Sequence, residues 1–126
     1  MPSKAYPGDL GFDLYASVDC EIPPSEQAAV GTGITVEMPE GWGGILKDRS
    51  SMALKRIYIS AGVIDQGYRG EIKALLRNES QVTYKIRRGD KIAQMVPVQV
   101  TDWTVMETSG LKDTDRDANG FGSSGK

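Results

Sequence analysis

The chain has 126 residues, a length that suits one domain and is too short for two. Hydrophobic residues make up 39% and charged residues 25%, which is ordinary for a folded protein and argues against disorder of the whole chain. The sequence contains no histidine and one cysteine, Cys20. This excludes an internal disulfide, CxxC sites, histidine-dependent triads and histidine-containing zinc sites, so acid–base chemistry falls to carboxylates, lysines or tyrosines.

The net charge and the distribution of apolar residues argue against nucleic acid and membranes as partners. The net charge of −2 gives no overall field that would attract nucleic acid, so we expect no nucleic-acid partner. No run approaches the ~18 apolar residues of a membrane span, and the first residues lack the apolar core of a secretory signal. We therefore expect no membrane association, and a lone thiol favours a cytoplasmic, reducing location.

Short β-type segments alternate with turn residues along the chain. The pattern predicts strands at residues 28–38, 71–77, 82–86 and 91–100, and Pro97 predicts an edge or a bulge in the last of them. Residues 50–56 predict a single helical turn with a serine as N-cap. Strands at this spacing favour an all-β sandwich or barrel, and the polar, glycine-rich residues 113–126 favour a flexible tail.

The segment DRSSMALK at residues 48–55 combines donors suited to an anion. Arg49 offers a planar fork of N–H groups, and Ser50 and Ser51 add hydroxyls at the start of a helical turn. These features indicate a site for phosphate oxygens. The alternative is a serine-capped helix with an exposed arginine.

The segment GVIDQGYRGE at residues 62–71 predicts a tight β-hairpin around a turn that begins at Asp65. If Asp65 faces a cleft, its carboxylate could orient and deprotonate a water, since no histidine competes for that role. Tyr68 could supply a flat wall for a sugar or a base. The alternative is a plain hairpin with a solvent-facing aspartate.

Three other segments carry weaker signals. In GDLGFDLYA, residues 8–16, Asp13 stands between apolar neighbours and suits either a metal's water shell or a turn. The segment GDKIAQMV, residues 89–96, predicts a turn that leads into a buried strand, in which Gln94 is the one polar side chain on the inward side. In the tail, Phe121 could stack on a base while the amides of Gly122, Ser123 and Ser124 wrap phosphates. The alternative there is a frayed terminus.

Five segments occur in one order over nearly the whole chain, and together they closely resemble the motifs of the trimeric dUTP nucleotidohydrolases (dUTPases). They are GDLGFDLYA (8–16), DRSSMALK (48–55), GVIDQGYRGE (62–71), GDKIAQ (89–94) and RDANGFGSSG (116–125). The resemblance implies a jelly-roll-like β-barrel over residues 1–112, followed by a flexible C-terminal lid over residues 113–126. It also implies a homotrimer with active sites at subunit interfaces.

The resemblance further implies hydrolysis of dUTP to dUMP and pyrophosphate, with Mg2+ bound through the triphosphate. By similarity, Asp65 is the general base and Asp13 binds metal-bound water. The backbone of Ala61, Gly62, Val63 and Ile64 reads the uracil edge, and Tyr68 lies against deoxyribose. The remaining expected substrate-binding residues are Arg49, Ser50, Ser51 and Gln94, together with Arg116, Phe121, Gly122, Ser123 and Ser124 of the tail.

Four positions depart from the family's usual pattern: Asp48, Asp117, Asn119 and Ser124, the last of which replaces a threonine. Asp117 and Asn119 replace tail glycines, and the negative charge of Asp117 is expected to weaken closure of the lid. Asp48 stands where the family usually has glycine, beside Arg49, and we expect it to pair with Arg49 or Lys47. Competing interpretations are a dCTP deaminase of the same superfamily, a non-catalytic binder of dUTP or of a partner protein, and a structural jelly-roll subunit.

Overall fold

The computed structural model describes residues 1–125 of the chain. Within these residues nine strands and one short helix follow one another, so the fold is all-β, as the turn-separated strand pattern predicts. The strands and helix, in chain order, are β1 (Phe12–Tyr15), β2 (Cys20–Ile22), β3 (Gln27–Gly31), β4 (Trp42–Lys47), α1 (Ser50–Ala53), β5 (Ile57–Ser60), β6 (Val63–Ile64), β7 (Lys73–Asn78), β8 (Tyr84–Ile86) and β9 (Lys91–Gln99).

The strands form a jelly-roll arrangement of three antiparallel sheets with the orders β1-β9-β4-β6, β3-β7-β5 and β2-β8. Alternating burial shows which face of each strand meets the core. In β7, for example, Ala74, Leu76 and Asn78 are buried while the residues between them are half-buried. Apolar side chains from all three sheets and from Met52 of α1 form a single core. This packing fixes the strand ends from which the site is built.

The predicted strand at residues 28–38 is too long. β3 ends at Gly31, because Gly33 has a φ of +68° that turns the chain out of the sheet. Beyond that point Ile34, Val36 and Met38 still alternate with exposed residues, and Ile34 accepts a hydrogen bond from the Ile72 N–H at 2.8 Å. The alternation in residues 34–38 therefore indicates which side chains contact the core. It does not indicate that these residues belong to a continuous, paired strand.

The predictions for β9 and α1 also need correction. β9 lies between β1 and β4 and is therefore not an edge strand. Its pairing with β1 reaches only to Met95, opposite Phe12, so within the described residues Pro97 has no partner on the β1 side of β9. In α1 the N-cap is Arg49 and not a serine, because Arg49 has extended backbone angles and its C=O accepts the first helical bonds from Met52 and Ala53.

The predicted hairpin over residues 62–71 is wrong as a pairing. A turn does form, with the Tyr68 N–H donating to the Asp65 C=O at 3.1 Å. However, β6 pairs with β4, while β7 pairs with β3 and β5. The turn therefore connects two sheets instead of closing a two-stranded ribbon, and it lies between their edges.

Candidate functional site

A cavity of about 250 Å3 lies where the β5–β6 connection meets the turn after β6. It is lined by Ser60, Ala61, Gly62, Val63, Ile64, Asp65, Tyr68, Glu71, Lys73 and Leu75. All six motif residues that the sequence assigns to base reading, sugar contact and catalysis on this segment thus share one cavity. Ser60, Glu71, Lys73 and Leu75 complete its wall and were not anticipated.

The connection between β5 and β6 consists of two residues with positive φ. Ala61 has a φ of 60° and Gly62 has a φ of 117°, so the backbone reverses within these two residues. The Gly62 C=O then accepts a hydrogen bond from the Leu46 N–H at 2.8 Å, which anchors the connection to β4. A Cβ atom on Gly62 would lie 2.9 Å from the Leu46 Cβ, so glycine is what permits this close approach.

Within residues 1–125 β6 is the last strand of its sheet, so only one of its edges is paired. Val63 lies opposite Ile45 and Ile64 lies opposite Gly44 on β4. An edge strand presents an alternating row of N–H and C=O groups on its unpaired side. Because both β6 residues line the cavity, that row is available to a planar ligand with alternating acceptors and donors.

The turn that carries Asp65 is held from both sides. The Gln66 side-chain oxygen accepts a hydrogen bond from the Gly41 N–H at 2.7 Å, which ties the turn to the loop before β4. The Arg69 guanidinium donates to the Gln66 C=O at 3.0 Å. The Asp65 side chain itself is exposed on the cavity wall, so it can reach a ligand and a water molecule.

Tyr68 is fixed in place by its neighbours in the motif. Its hydroxyl donates to the Glu71 C=O at 3.0 Å, and 44% of the residue remains exposed. A Cβ atom on Gly70 would lie 2.3 Å from that hydroxyl, so only glycine leaves room for the ring. The ring therefore forms a flat, partly exposed wall of the cavity.

A charged cluster lies on the neighbouring strands β1 and β9. The Asp13 carboxylate contacts the Lys91 ammonium at 3.0 Å and the Arg49 guanidinium at 3.8 Å. Arg49 also donates to the Lys91 C=O at 3.3 Å. Asp13 lies directly opposite Gln94, so the sheet register places two predicted ligands side by side. Two cations around one carboxylate make this cluster suited to an anion.

Asp48 does not form the pair that the sequence suggested. Its carboxylate accepts a hydrogen bond from the Ile59 N–H at 2.5 Å, whereas Arg49 makes its ion pair with Asp13. The Asp48 C=O accepts from the Gln94 side-chain amide at 2.9 Å. Asp48 therefore connects β5, the start of α1 and the Gln94 side chain.

Two further features border the charged cluster. Ser50 and Ser51, the first residues of α1, are exposed, so their hydroxyls are open to a ligand. Tyr84 is half-buried on β8, and its burial raises the pKa of the hydroxyl above 10.0. The Asp90 carboxylate also raises this pKa, while the Arg49 guanidinium lowers it in part.

The C-terminal segment forms a group of its own. Arg116, Asn119, Ser123 and Ser124 line a cavity of about 320 Å3, and the Arg116 side chain donates to the Asn119 C=O at 2.9 Å. Phe121 is fully exposed. Within residues 1–125 no hydrogen bond joins the part after Val100 to the barrel, so the tail residues and the barrel residues stay apart in one chain.

The structure thus sorts the predicted residues into three groups: the cavity with Asp65, the charged cluster with Asp13, and the tail with Arg116. Sequence reasoning missed Lys91, whose contact with Asp13 depends on a cross-strand register. Sequence reasoning also missed the role of Gly70, which makes room for the Tyr68 ring. A glycine two residues after that tyrosine was a signal that could have indicated this role. The division of the chain after residue 112 stays a prediction, and Lys126 lies outside the described residues.

Comparisons with known proteins show the family to which the chain belongs. The dUTPase family model matches residues 1–125. The deoxyuridine 5'-triphosphate nucleotidohydrolase of cowpox virus is 40% identical over 124 residues, covering 98% of this chain and 84% of that protein. The enzyme of the same name from Gloeothece citriformis is 42% identical over 128 residues, covering 99% of this chain and 88% of that protein.

Solved structures give the same result. The dUTPase of Staphylococcus bacteriophage 80alpha with dUpNHpp has a TM-score of 0.93 and 26% identity, covering 100% of this chain and 92% of that chain. A mutant dUTPase from phage phi11 of S. aureus, described with a structural Mg(II) ion, has a TM-score of 0.82, 26% identity and coverages of 90% and 92%. The chain belongs to the dUTPase family.

Proposed function

We propose that this chain hydrolyses dUTP to dUMP and pyrophosphate, with Asp65 as the general base for a water that attacks the α-phosphorus. The observation that carries the proposal is the cavity in which Asp65, Tyr68 and the open edge of β6 come together. A carboxylate is the residue type in this histidine-free chain best able to accept a proton near neutral pH. Family membership supports the same reaction.

The open edge of β6 supports uracil as the base. Uracil presents an acceptor, a donor and an acceptor along one edge, and a strand edge offers N–H and C=O groups in alternation. Cytosine carries an amino group where uracil carries an oxygen, so two donors would face each other. An unpaired polar group in a closed pocket costs about 1–3 kcal/mol, which supports discrimination at this strand.

Tyr68 supports a deoxyribose in place of ribose. Its hydroxyl is engaged by the Glu71 C=O, and the ring is packed against Gly70. A ring held on two sides cannot withdraw to make room for a 2′-hydroxyl. The sugar specificity is therefore proposed to be steric.

The charged cluster is proposed to bind the phosphates through Arg49, Ser50, Ser51 and Gln94. Phosphoryl transfer depends mainly on positioning and on stabilising negative charge, which a guanidinium and hydroxyls provide. The tail is proposed to close over the nucleotide, with Phe121 on the uracil and with Arg116, Gly122, Ser123 and Ser124 on the phosphates. The tail cavity lined by Arg116, Ser123 and Ser124 has the donors for that role.

Mg2+ is proposed as the cofactor, bound by the triphosphate. Within residues 1–125 no group of three or more acidic or cysteine side chains could hold a metal, so the donor set fits a metal that brings its own phosphate ligands. Asp13, whose side chain is 19% exposed, would accept hydrogen bonds from the metal's water shell. When bound, the ion would neutralise charge on the phosphates.

The cellular role proposed for this activity is to limit uracil incorporation into DNA and to supply dUMP for thymidylate synthesis. No helix in the described part of the chain is long and apolar enough to cross a membrane. Cys20 is half-buried as a free thiol, and a reducing cytosol is the compartment that we propose.

The Asp65→Asn variant tests the catalytic role. Pyrophosphate release would be measured with Mg2+ and, separately, dUTP, dCTP, dTTP and UTP. We expect the wild type to act on dUTP alone and the variant to lose roughly 10²–10⁴-fold in kcat while still binding dUTP. Undiminished turnover in the variant would remove Asp65 from the mechanism, and a wild type that binds dUTP without hydrolysing it would indicate a regulatory binder.

The homotrimer with shared sites is also proposed, because Asp65 and Arg49 lie in separate groups within one chain. Asp65→Asn and Arg49→Ala chains would be co-refolded in equal amounts. If each site takes Asp65 from one subunit and Arg49 from another, about a quarter of the sites contain both wild-type residues. Activity no greater than the sum of the two separate variants would place both residues in one subunit's site.

A further inference from the structure

Asp48 occupies a junction between two parts of the site. It follows the last residue of β4 and precedes Arg49, and it is half-buried. Its carboxylate accepts from the Ile59 N–H, and its C=O accepts from the Gln94 side-chain amide. One residue thus contacts two different strands through two different acceptors.

The carboxylate bond closes an otherwise open strand edge. Among the described residues β5 is the last strand of the β3-β7-β5 sheet, and its one strand partner is β7. The Ile59 N–H points away from β7 to Asp48, and a half-buried amide without a partner costs free energy. Asp48 therefore ties the end of β4 to β5 at Ile59, the residue directly before Ser60, where the cavity wall begins.

The C=O bond fixes a proposed phosphate ligand. Gln94 lies opposite Asp13 in the sheet. Its side-chain amide donates a hydrogen bond to the Asp48 C=O at 2.9 Å. Because Arg49 is the next residue along the chain, a shift of Asp48 moves Arg49 and Gln94 together. The Asp48 carboxylate controls that shift through its bond to Ile59.

We propose that Asp48 is a positioning residue that sets Arg49 and Gln94 for binding of the triphosphate. The bond to Ile59 fixes the start of the segment, and the main-chain contact to Gln94 transmits this position to a ligand. The inference rests on the proposed function for its kinetic test. It predicts that the acceptor oxygen matters and that the negative charge does not.

Asp48→Ala and Asp48→Asn would be compared with the wild type in dUTP hydrolysis. The asparagine keeps an oxygen that can accept from Ile59, so we expect KM within twofold of the wild type. The alanine removes the bond, and we expect KM to rise by roughly fivefold to tenfold, the factor that corresponds to about one net hydrogen bond. kcat is expected to change less than KM, because Asp65 is on a separate segment.

Asp19 offers a matched control, because its carboxylate accepts from the Arg88 N–H at 2.8 Å away from the proposed ligands. Asp19→Ala and Asp19→Asn are expected to leave KM unchanged even where they lower the midpoint of thermal unfolding. If Asp48→Ala lowers only that midpoint and leaves KM unchanged, Asp48 is structural and the proposal is overturned. If Asp48→Asn is as impaired as Asp48→Ala, the charge is required and the proposal is also overturned.

Calorimetric binding of inorganic triphosphate with Mg2+ separates this inference from the proposed reaction. A wild type without dUTP turnover would contradict the proposed function, while weaker triphosphate binding by Asp48→Ala than by Asp48→Asn would still support the positioning role. Equal binding by both variants and the wild type would overturn it. A wild type that neither hydrolyses dUTP nor binds triphosphate would overturn both proposals.

Discussion

Substituting Gly62 by alanine should destabilise the barrel and damage the cavity at the same time. Gly62 has a φ of 117°, and an added Cβ would lie 2.9 Å from the Leu46 Cβ and 3.1 Å from the Leu46 carbonyl oxygen. Backbone strain of this kind costs about 1–3 kcal/mol, and forcing a methyl group into a packed site costs about 1–3 kcal/mol more. We therefore expect the free energy of unfolding to fall by about 2–6 kcal/mol.

Urea unfolding followed by tryptophan fluorescence measures this change, and Gly67→Ala supplies the control. Gly67 lies in the turn after β6, its added Cβ would meet no atom within 4 Å, and its φ is outside the strained region. We expect Gly67→Ala to change stability by less than about 1 kcal/mol. Equal stabilities for the two variants would refute the argument that the close contact between Gly62 and Leu46 requires glycine.

Two other predictions concern the tail and the charged cluster. Asp117 has a φ of 47°, a backbone conformation that glycine adopts without strain. Asp117→Gly should therefore strengthen closure of the lid and lower KM for dUTP. Unchanged KM and kcat in this variant would contradict the prediction. The raised pKa of Tyr84 makes its contribution to stability complete below pH 10 and lost as the pH rises above that value. Tyr84→Phe should therefore lose less stability between pH 9 and 11, roughly, than the wild type does in thermal unfolding, whereas parallel pH profiles would contradict the shift.

The sequence predicts best those elements whose evidence is local. The strand β7 is predicted from its own residues, although the alternation of buried Ala74 and Leu76 with half-buried Leu75 cannot be seen in three consecutive apolar residues. The turn at Asp65 is likewise encoded by its own residues, because aspartate and glycine favour tight turns. Motif resemblance adds what local patterns cannot, namely the prediction that residues far apart in the chain bind one nucleotide.

Strand partners are what the sequence does not provide. A turn signal states that the chain reverses, but it does not choose between pairing β6 with β7 and pairing it with β4. The register of β1 on β9 brings Lys91 near Asp13, and nothing in either segment alone indicates that contact. The partners of Asn78 are likewise not visible in the sequence. Its buried side-chain amide donates hydrogen bonds to the C=O of Ile22 on β2 and to the C=O of Val82 in the loop before β8.

The separation of the three residue groups bears directly on how the proposed enzyme works. Hydrolysis of one nucleotide requires the base, the phosphate ligands and the lid to touch the same molecule, since positioning supplies much of the rate. Within residues 1–125, no hydrogen bond or ion pair joins the Asp65 cavity to the Asp13 cluster or either of them to the Arg116 segment. Both barrel groups are anchored to strands of the β1-β9-β4-β6 sheet, so strand pairing fixes the spacing between them within one chain. In the proposed trimer each nucleotide would meet the base of one subunit and the phosphate ligands of another, an arrangement that co-refolding of the Asp65→Asn and Arg49→Ala chains tests.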